Sequence, residues 1–335
     1  MGRSDCCSCK FLVFTNAGFI PVELVLKTPD PLILIHLIAT YPQKKYIHIM
    51  NFDLAKAATF GVAGNFTGHL EQAGEAVDFT NIKTAEQNEP KAIFPTYIPL
   101  PDAAKNKENI IPDFLTVFPF STSKIIYPKG EQKIQLEPEC AIIFDAVWNN
   151  DKIEQLIPLS FGASNDCSIR KAGAAKISQK KNWGANSKGL SEHLIAIDSF
   201  TSNGILNKYR IASFMIRNGE VFSYGEDSAI RDYSYIYKKL IDWMINKLNT
   251  QKNEGPAENI NSYLTAAGCP QKIMISIGAT RYTEFGKTNF LNDGDVSVVI
   301  LYPEDKYSFE QIKSKLEQNE NFESDVSVLY QTVTV

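Results

Sequence analysis

The stretch Gln135-Leu136-Glu137-Pro138-Glu139-Cys140-Ala141-Ile142-Ile143-Phe144-Asp145 sets two carboxylates directly ahead of an apolar run that reads as a buried strand. In an extended chain residues i and i+2 project from one face, so Glu137 and Glu139 stand side by side, about 6.5–7 Å apart along the backbone. That placement suits two ligands on one hard cation, which prefers oxygen donors. The competing account makes Gln135, Glu137 and Glu139 the solvated face of an ordinary strand. A third oxygen ligand favours the first account. Asp166 offers one, in Asn165-Asp166-Cys167-Ser168-Ile169-Arg170 at the end of a later apolar segment.

Other residues have chemistry to contribute. His69, one of four histidines, follows the glycine-rich turn Gly61-Val62-Ala63-Gly64-Asn65-Phe66-Thr67-Gly68. An imidazole near neutrality is a candidate general base, although a structural or surface role is the commoner fate of such a residue. The polar loop from Lys180-Lys181-Asn182-Trp183 to Lys188-Gly189 can deliver Lys188 to a neighbouring anion, against the plainer reading of an exposed loop lysine.

The elements that must position these residues are mostly strands. Residues 80–112, broken by Pro90, Pro95, Pro99, Pro101 and Pro112, read as loop with short strands. Tyr209 to Tyr224 alternates around Asn218-Gly219, the strongest short hairpin signal. Ile230, Tyr233, Tyr237, Leu240, Ile241, Met244 and Leu248 follow helical spacing. Further strands are expected at Ile273–Thr280, Phe290–Ile300 and Val326–Val333. Ser308 and Gln311 form a capping box for a short helix. No regular alternation of strand and helix and no fixed-period repeat appears.

The 335 residues carry 34 basic and 38 acidic side chains, a formal net charge of −4 without a basic block, which argues against a nucleic-acid partner. Six cysteines, three of them at Cys6, Cys7 and Cys9, make neither a disulfide framework nor a good zinc site, and the compartment expected is reducing cytosol. Pro31–Tyr41 is too short to span a membrane, so no membrane partner is expected. Residues 1–49 lack clean periodicity, and Met50 is expected to be the working initiator, with the preceding segment an upstream extension. Gly-rich phosphate loops, Gly-x-Ser-x-Gly elbows and His-Glu-x-x-His pairs are lacking, which leaves the carboxylates as the main chemical signal.

Five segments, in order, resemble the fumarylacetoacetate hydrolase superfamily. They are Gly64-Asn65-Phe66-Thr67-Gly68-His69, Glu137-Pro138-Glu139, Asn165-Asp166-Cys167-Ser168-Ile169-Arg170, Trp183 to Lys188-Gly189, and Phe290-Leu291-Asn292-Asp293-Gly294-Asp295. The resemblance covers roughly residues 58–302. It implies a strand-rich mixed α/β fold, a β-roll with a few peripheral helices, with a catalytic domain over 50–302 and a helix-strand appendage over 303–335. It further implies a homodimer and a divalent cation on Glu137, Glu139 and Asp166, Mg²⁺ or Mn²⁺ with Ca²⁺ as a third candidate. The substrate class implied is a small 2-oxo acid or dicarbonyl compound, undergoing C–C hydrolysis, decarboxylation, hydration or isomerisation through a metal-stabilised enolate. His69 and Lys188 would be catalytic, and Arg170, Gly278 and Thr280 would meet the substrate.

The chain departs from the family pattern at the proton machinery. Gln72 stands where many small relatives have a glutamate three residues after the histidine, leaving Glu71 or Glu75 as substitutes. Arg170 is followed by Lys171-Ala172-Gly173 instead of Asp-x-Gln, and the usual Gly-Thr becomes Gly278-Ala279-Thr280. The alternative expectation is therefore a catalytically inactive protein that keeps the fold and binds metal and ligand.

Overall fold

A computed structural model of the chain describes residues 8–15, 18–25, 53–80, 82, 84–101, 110–171 and 173–335. Cys6, Cys7, Pro31–Tyr41 and Met50 lie outside the described residues. The chain divides into two units, Met1–Ile47 and His48–Val335. In the first, β1 (Ser8–Thr15) and β2 (Gly18–Val25) form an antiparallel hairpin.

The second unit is a strand-rich mixed α/β structure with few helices. Its strands are β3 (Ala58–Ala63), β4 (Ala92–Tyr97), β5 (Phe120–Ser121), β6 (Lys124–Ile126), β7 (Ile134–Gln135), β8 (Pro138–Asn149), β9 (Lys152–Asn165), β10 (Ser168–Ile169), β11 (Lys188–Leu190), β12 (Ile195–Ala196), β13 (Tyr209–Arg217), β14 (Glu220–Ala229), β15 (Lys272–Ser276), β16 (Val296–Pro303) and β17 (Ser327–Thr334). An eight-stranded sheet runs β4-β3-β15-β8-β9-β11-β5, with β12 also on β9. A five-stranded sheet runs β14-β13-β16-β17-β6, and β7 pairs with β10.

The backbone of this unit is the long β8–β9 hairpin, turned by Asn150 and Asp151 at φ 48° and 58°. Asparagine and aspartate tolerate that left-handed region better than other residues with a Cβ. Strand β8 is buried over most of its length, which explains its continuous apolar run. The β13–β14 hairpin turns at Asn218-Gly219, both at positive φ, as two-residue hairpin turns of this kind require.

The helix expected from the Ile230–Leu248 periodicity begins later, at Tyr237, and runs to Thr250. The delay has a tertiary cause. Asn65 captures the preceding segment, accepting from the Tyr235 backbone N–H (2.8 Å) and donating to its carbonyl (3.0 Å), which holds it extended. The capping box at Ser308 and Gln311 is present and opens the helix Phe309–Glu317. That helix lays Ile312 and Leu316 against Phe214, Val298 and Ile300 of the five-stranded sheet. Among the described residues no helix is long and apolar enough to cross a membrane.

Candidate active site

The two sheets bring their chemistry together where β8 begins and β9 ends. The Glu137 backbone N–H donates to Asn165 Oδ1 (3.2 Å), and its carbonyl accepts from the Asp166 N–H (3.0 Å). Asn165 Nδ2 in turn reaches Ser297 Oγ and Gln331 Oε1, each at 3.1 Å, tying this corner to the second sheet. One oxygen each from Glu137, Glu139 and Asp166 lie within 4.8 Å of one another, and all three residues are buried. Burial rules out the solvated-strand account, and the oxygen donors and their spacing make a group that can hold a metal ion.

Basic side chains already hold these acids. Lys181 Nζ stands 2.5 Å from Glu137 Oε2 and 2.8 Å from Asp166 Oδ2, while Lys188 Nζ stands 2.8 Å from Asp166 Oδ1. Arg170 Nη2 takes the remaining Glu137 oxygen at 2.5 Å. Each oxygen of Glu137 and Asp166 therefore faces a basic nitrogen. Lys181 also donates to Glu137 Oε2 and Lys188 to the Cys167 carbonyl (2.5 Å), so each ammonium is shared between Asp166 and a second acceptor. A divalent ion has suitable donors here, but the residues as arranged do not fit one, since it would compete with three fixed cations for the same oxygens.

Arg170 is committed to the protein on every side. It also donates to Gln135 Oε1 (2.6 Å), Glu75 Oε1 (2.7 Å) and the Tyr282 hydroxyl (2.9 Å). Its guanidinium thus orients Glu137 and Glu75, and a substrate carboxylate would have to displace one of these partners. Glu75 also accepts from Lys180 (2.9 Å).

His69 opens a single-turn helix, His69–Gln72, behind Gly68 at φ 87°. Its Nδ1 lies 2.8 Å from the Thr280 carbonyl. A carbonyl only accepts, so Nδ1 carries the proton and Nε2 of the neutral ring is left as the acceptor. Burial is the main cause of a lowered His69 pKa, with Glu137 opposing and Arg170 adding to it, so the ring is neutral near neutrality. Gln72 faces away from this exchange and pairs instead with the Tyr282 backbone, accepting from its N–H at 2.7 Å.

Gly278, at φ 116°, donates its N–H to Glu139 Oε2 (2.8 Å), and a Cβ there would press on Asn65 and the Val62 carbonyl. Asn65 fixes this stretch by donating to the Ile277 carbonyl (2.8 Å). Thr280 contributes its carbonyl to His69; the side chain that reaches the cavity from this segment is that of Ala279.

Burial and the oppositely charged neighbours set the protonation states. Burial raises the Glu137 carboxyl, but Lys181 and Arg170 outweigh it and hold Glu137 far below the ordinary carboxylate range. Burial, Asp166 and Glu137 together push Glu139 well above that range. Burial lowers Lys181, yet Asp166, Glu137 and Glu75 more than compensate and keep it charged. For Lys188 burial prevails over Asp166 and its pKa falls.

The narrow cavity that His69, Glu75, Glu137, Glu139, Lys181 and Ala279 help to line is about 10 Å³, the space of roughly one water. Lys181 escaped the sequence reading, and Glu75, named there as a substitute acid for His69, is held instead by Arg170 and Lys180. The one linear clue was position: Lys180-Lys181 falls between Asp166 and Lys188, both already suspected.

Fold and centre together define a strand-rich α/β protein with a buried acidic triad clasped by basic side chains. The chain belongs to a family of unknown function, DUF5718, whose family model matches residues 75–333. That span contains the triad and its basic partners and begins beyond His69. No curated protein matches the chain. Among solved structures it is similar to a 2-keto-3-deoxyarabinonate dehydratase, with 14% identity, TM-score 0.46, and coverage of 98% of this chain and 99% of the other. It is also similar to a protein from Oleispira antarctica assigned as a fumarylacetoacetate isomerase/hydrolase (13%, TM-score 0.46, 83% and 93%). A 5-carboxymethyl-2-hydroxymuconate delta-isomerase from Mycobacterium smegmatis is a third (15%, TM-score 0.42, 83% and 78%).

Proposed function

We propose that the chain is an enzyme acting on a small 2-oxo acid or related dicarbonyl compound, by C–C hydrolysis, decarboxylation, hydration or isomerisation through an enolate. The observation that supports this reading is His69, a neutral imidazole fixed through Nδ1 and lining one buried cavity with Glu137, Glu139 and Lys181. Proton transfer beside a carbonyl needs a positioned base next to concentrated positive charge. The imidazole takes or returns the proton, and the ammonium groups of Lys181 and Lys188 stabilise the developing oxyanion. Glu137 and Asp166 hold those ammonium groups in place.

The test is turnover. The full chain is incubated with acylpyruvates, oxaloacetate and longer oxo-dienoates, with and without Mg²⁺ or Mn²⁺, and followed by loss of their ultraviolet absorbance. At least one should be consumed, and His69→Gln should lower kcat about 10²–10⁴-fold. If none is consumed under any condition, the enzymatic reading is lost.

A second reading, a ligand-binding protein without turnover, is favoured by the engagement of Gln72 with Tyr282 and by the small cavity. Calorimetric titration with oxalate separates the two, since this reading expects heat of binding without any product from the oxo acids.

A further inference from the structure

We propose that the ammonium of Lys181 is the resident cation of this centre, holding the place among Glu137, Glu139 and Asp166 where a divalent metal was expected, so that the centre is built without one. Lys181 Nζ bridges two of the three carboxylates at 2.5 and 2.8 Å and is itself buried. No oxygen of Glu137 or Asp166 is left facing away from a basic nitrogen.

Charge gives a second, independent argument. Four buried acids, Glu75, Glu137, Glu139 and Asp166, stand with four basic residues, Arg170, Lys180, Lys181 and Lys188. Glu75, Glu137 and Asp166 are each paired with two of these basic side chains. A divalent ion would bring two further positive charges into a poorly solvated interior that four basic side chains already occupy. Space points the same way. Magnesium keeps several of its waters when it binds, and a cavity of about 10 Å³ holds roughly one.

Lys181 is also poorly placed to withdraw. It ends the short helix Ser178–Lys181, which is pinned at its start by Ser178 Oγ donating to Glu258 Oε1 (2.9 Å). Just ahead, Lys176 donates to the carbonyls of Gly255 and Ala257, each at 2.7 Å. The adjacent Lys180 is held by Glu75 and Asp78. The inference concerns occupancy of the centre and stands or falls separately from turnover.

The experiment measures metal on the full chain, first as the content of protein purified without chelator, then by Mn²⁺ titration followed by the electron paramagnetic resonance of free Mn²⁺. The expected result is far less than one metal per chain, and no retention of Mn²⁺ below millimolar concentration. Lys181→Met, which removes the ammonium and leaves the acids in excess, should bind Mn²⁺ at least about tenfold tighter than the unaltered protein. Its melting temperature should rise on adding Mn²⁺, whereas that of the unaltered protein should not move. Stoichiometric metal on the unaltered protein, or Lys181→Met binding Mn²⁺ no tighter, would overturn the proposal. Should Lys181→Met fail to fold, the double variant Glu137→Gln/Lys181→Met keeps the charges balanced, and the metal content of the unaltered protein still decides.

Discussion

Glu258 anchors the helix that carries Lys181, and its carboxyl makes the stability of that anchor sensitive to pH. Burial raises its pKa from the ordinary 4.5 to about 7, against the opposing hydrogen bond from Ser178. A carboxyl raised on folding favours the folded chain when protonated. Its contribution is therefore fully present below pH 4.5 and lost as pH climbs through 7. Glutamine mimics the protonated form and can still accept from Ser178. Glu258→Gln should stabilise the protein by roughly 3 kcal/mol at pH 8, with the gain vanishing near pH 4, as measured by urea unfolding at both values. The same contrast between local pattern and tertiary setting governs what the sequence discloses. Glu137 and Glu139 are legible because an extended chain sets i and i+2 on one face, although the strand itself begins only at Pro138, and His69 because glycines flank it. Lys181 is not, since a lysine in a polar stretch carries no local sign of burial. Its role comes from acids 15 and 44 positions earlier in the chain, at Asp166 and Glu137.

At the scale of elements, β17 is a supporting wall of the site. Gln331 on this strand is fully buried and donates Nε2 toward the carbonyls of Ser121, Lys124 and Lys188, each at 3.1 Å, while Oε1 accepts from Asn165. One amide thus joins β5, β6, β9 and β11. Gly189 must lack a side chain here, because a Cβ would come within 2.3 Å of Gln331 Oε1. Gln331→Ala should cost roughly 3 kcal/mol in urea unfolding, as several buried polar groups lose their partner together, and should lower turnover by loosening Lys188. Residues 303–335, expected as an appendage, supply this strand, and nothing in their alternating pattern announces that Gln331 points at the site strands. The β13–β14 turn and the capping box at Ser308 were legible because each is specified by residues a few positions apart. The start of the helix at Tyr237 was not, because Asn65, far away in sequence, sets it.

For the second unit as a whole, the decisive feature is a centre built around a narrow space of only about 10 Å³. No 2-oxo acid enters so small a space, so binding must wait for an arrangement in which the walls have parted. Stopped-flow mixing with oxalate should then show an observed rate that levels off as ligand is raised, the plateau reporting the opening step; a strictly linear rise would mean that the centre is already accessible. The apparent affinity is the intrinsic one reduced by the fraction of molecules that are open. Rigidity and avidity are consequently opposed in this protein. A substitution that tightens the walls around His69 and Lys181 should raise the melting temperature and weaken ligand capture together, so that its most stable variants are its poorest binders.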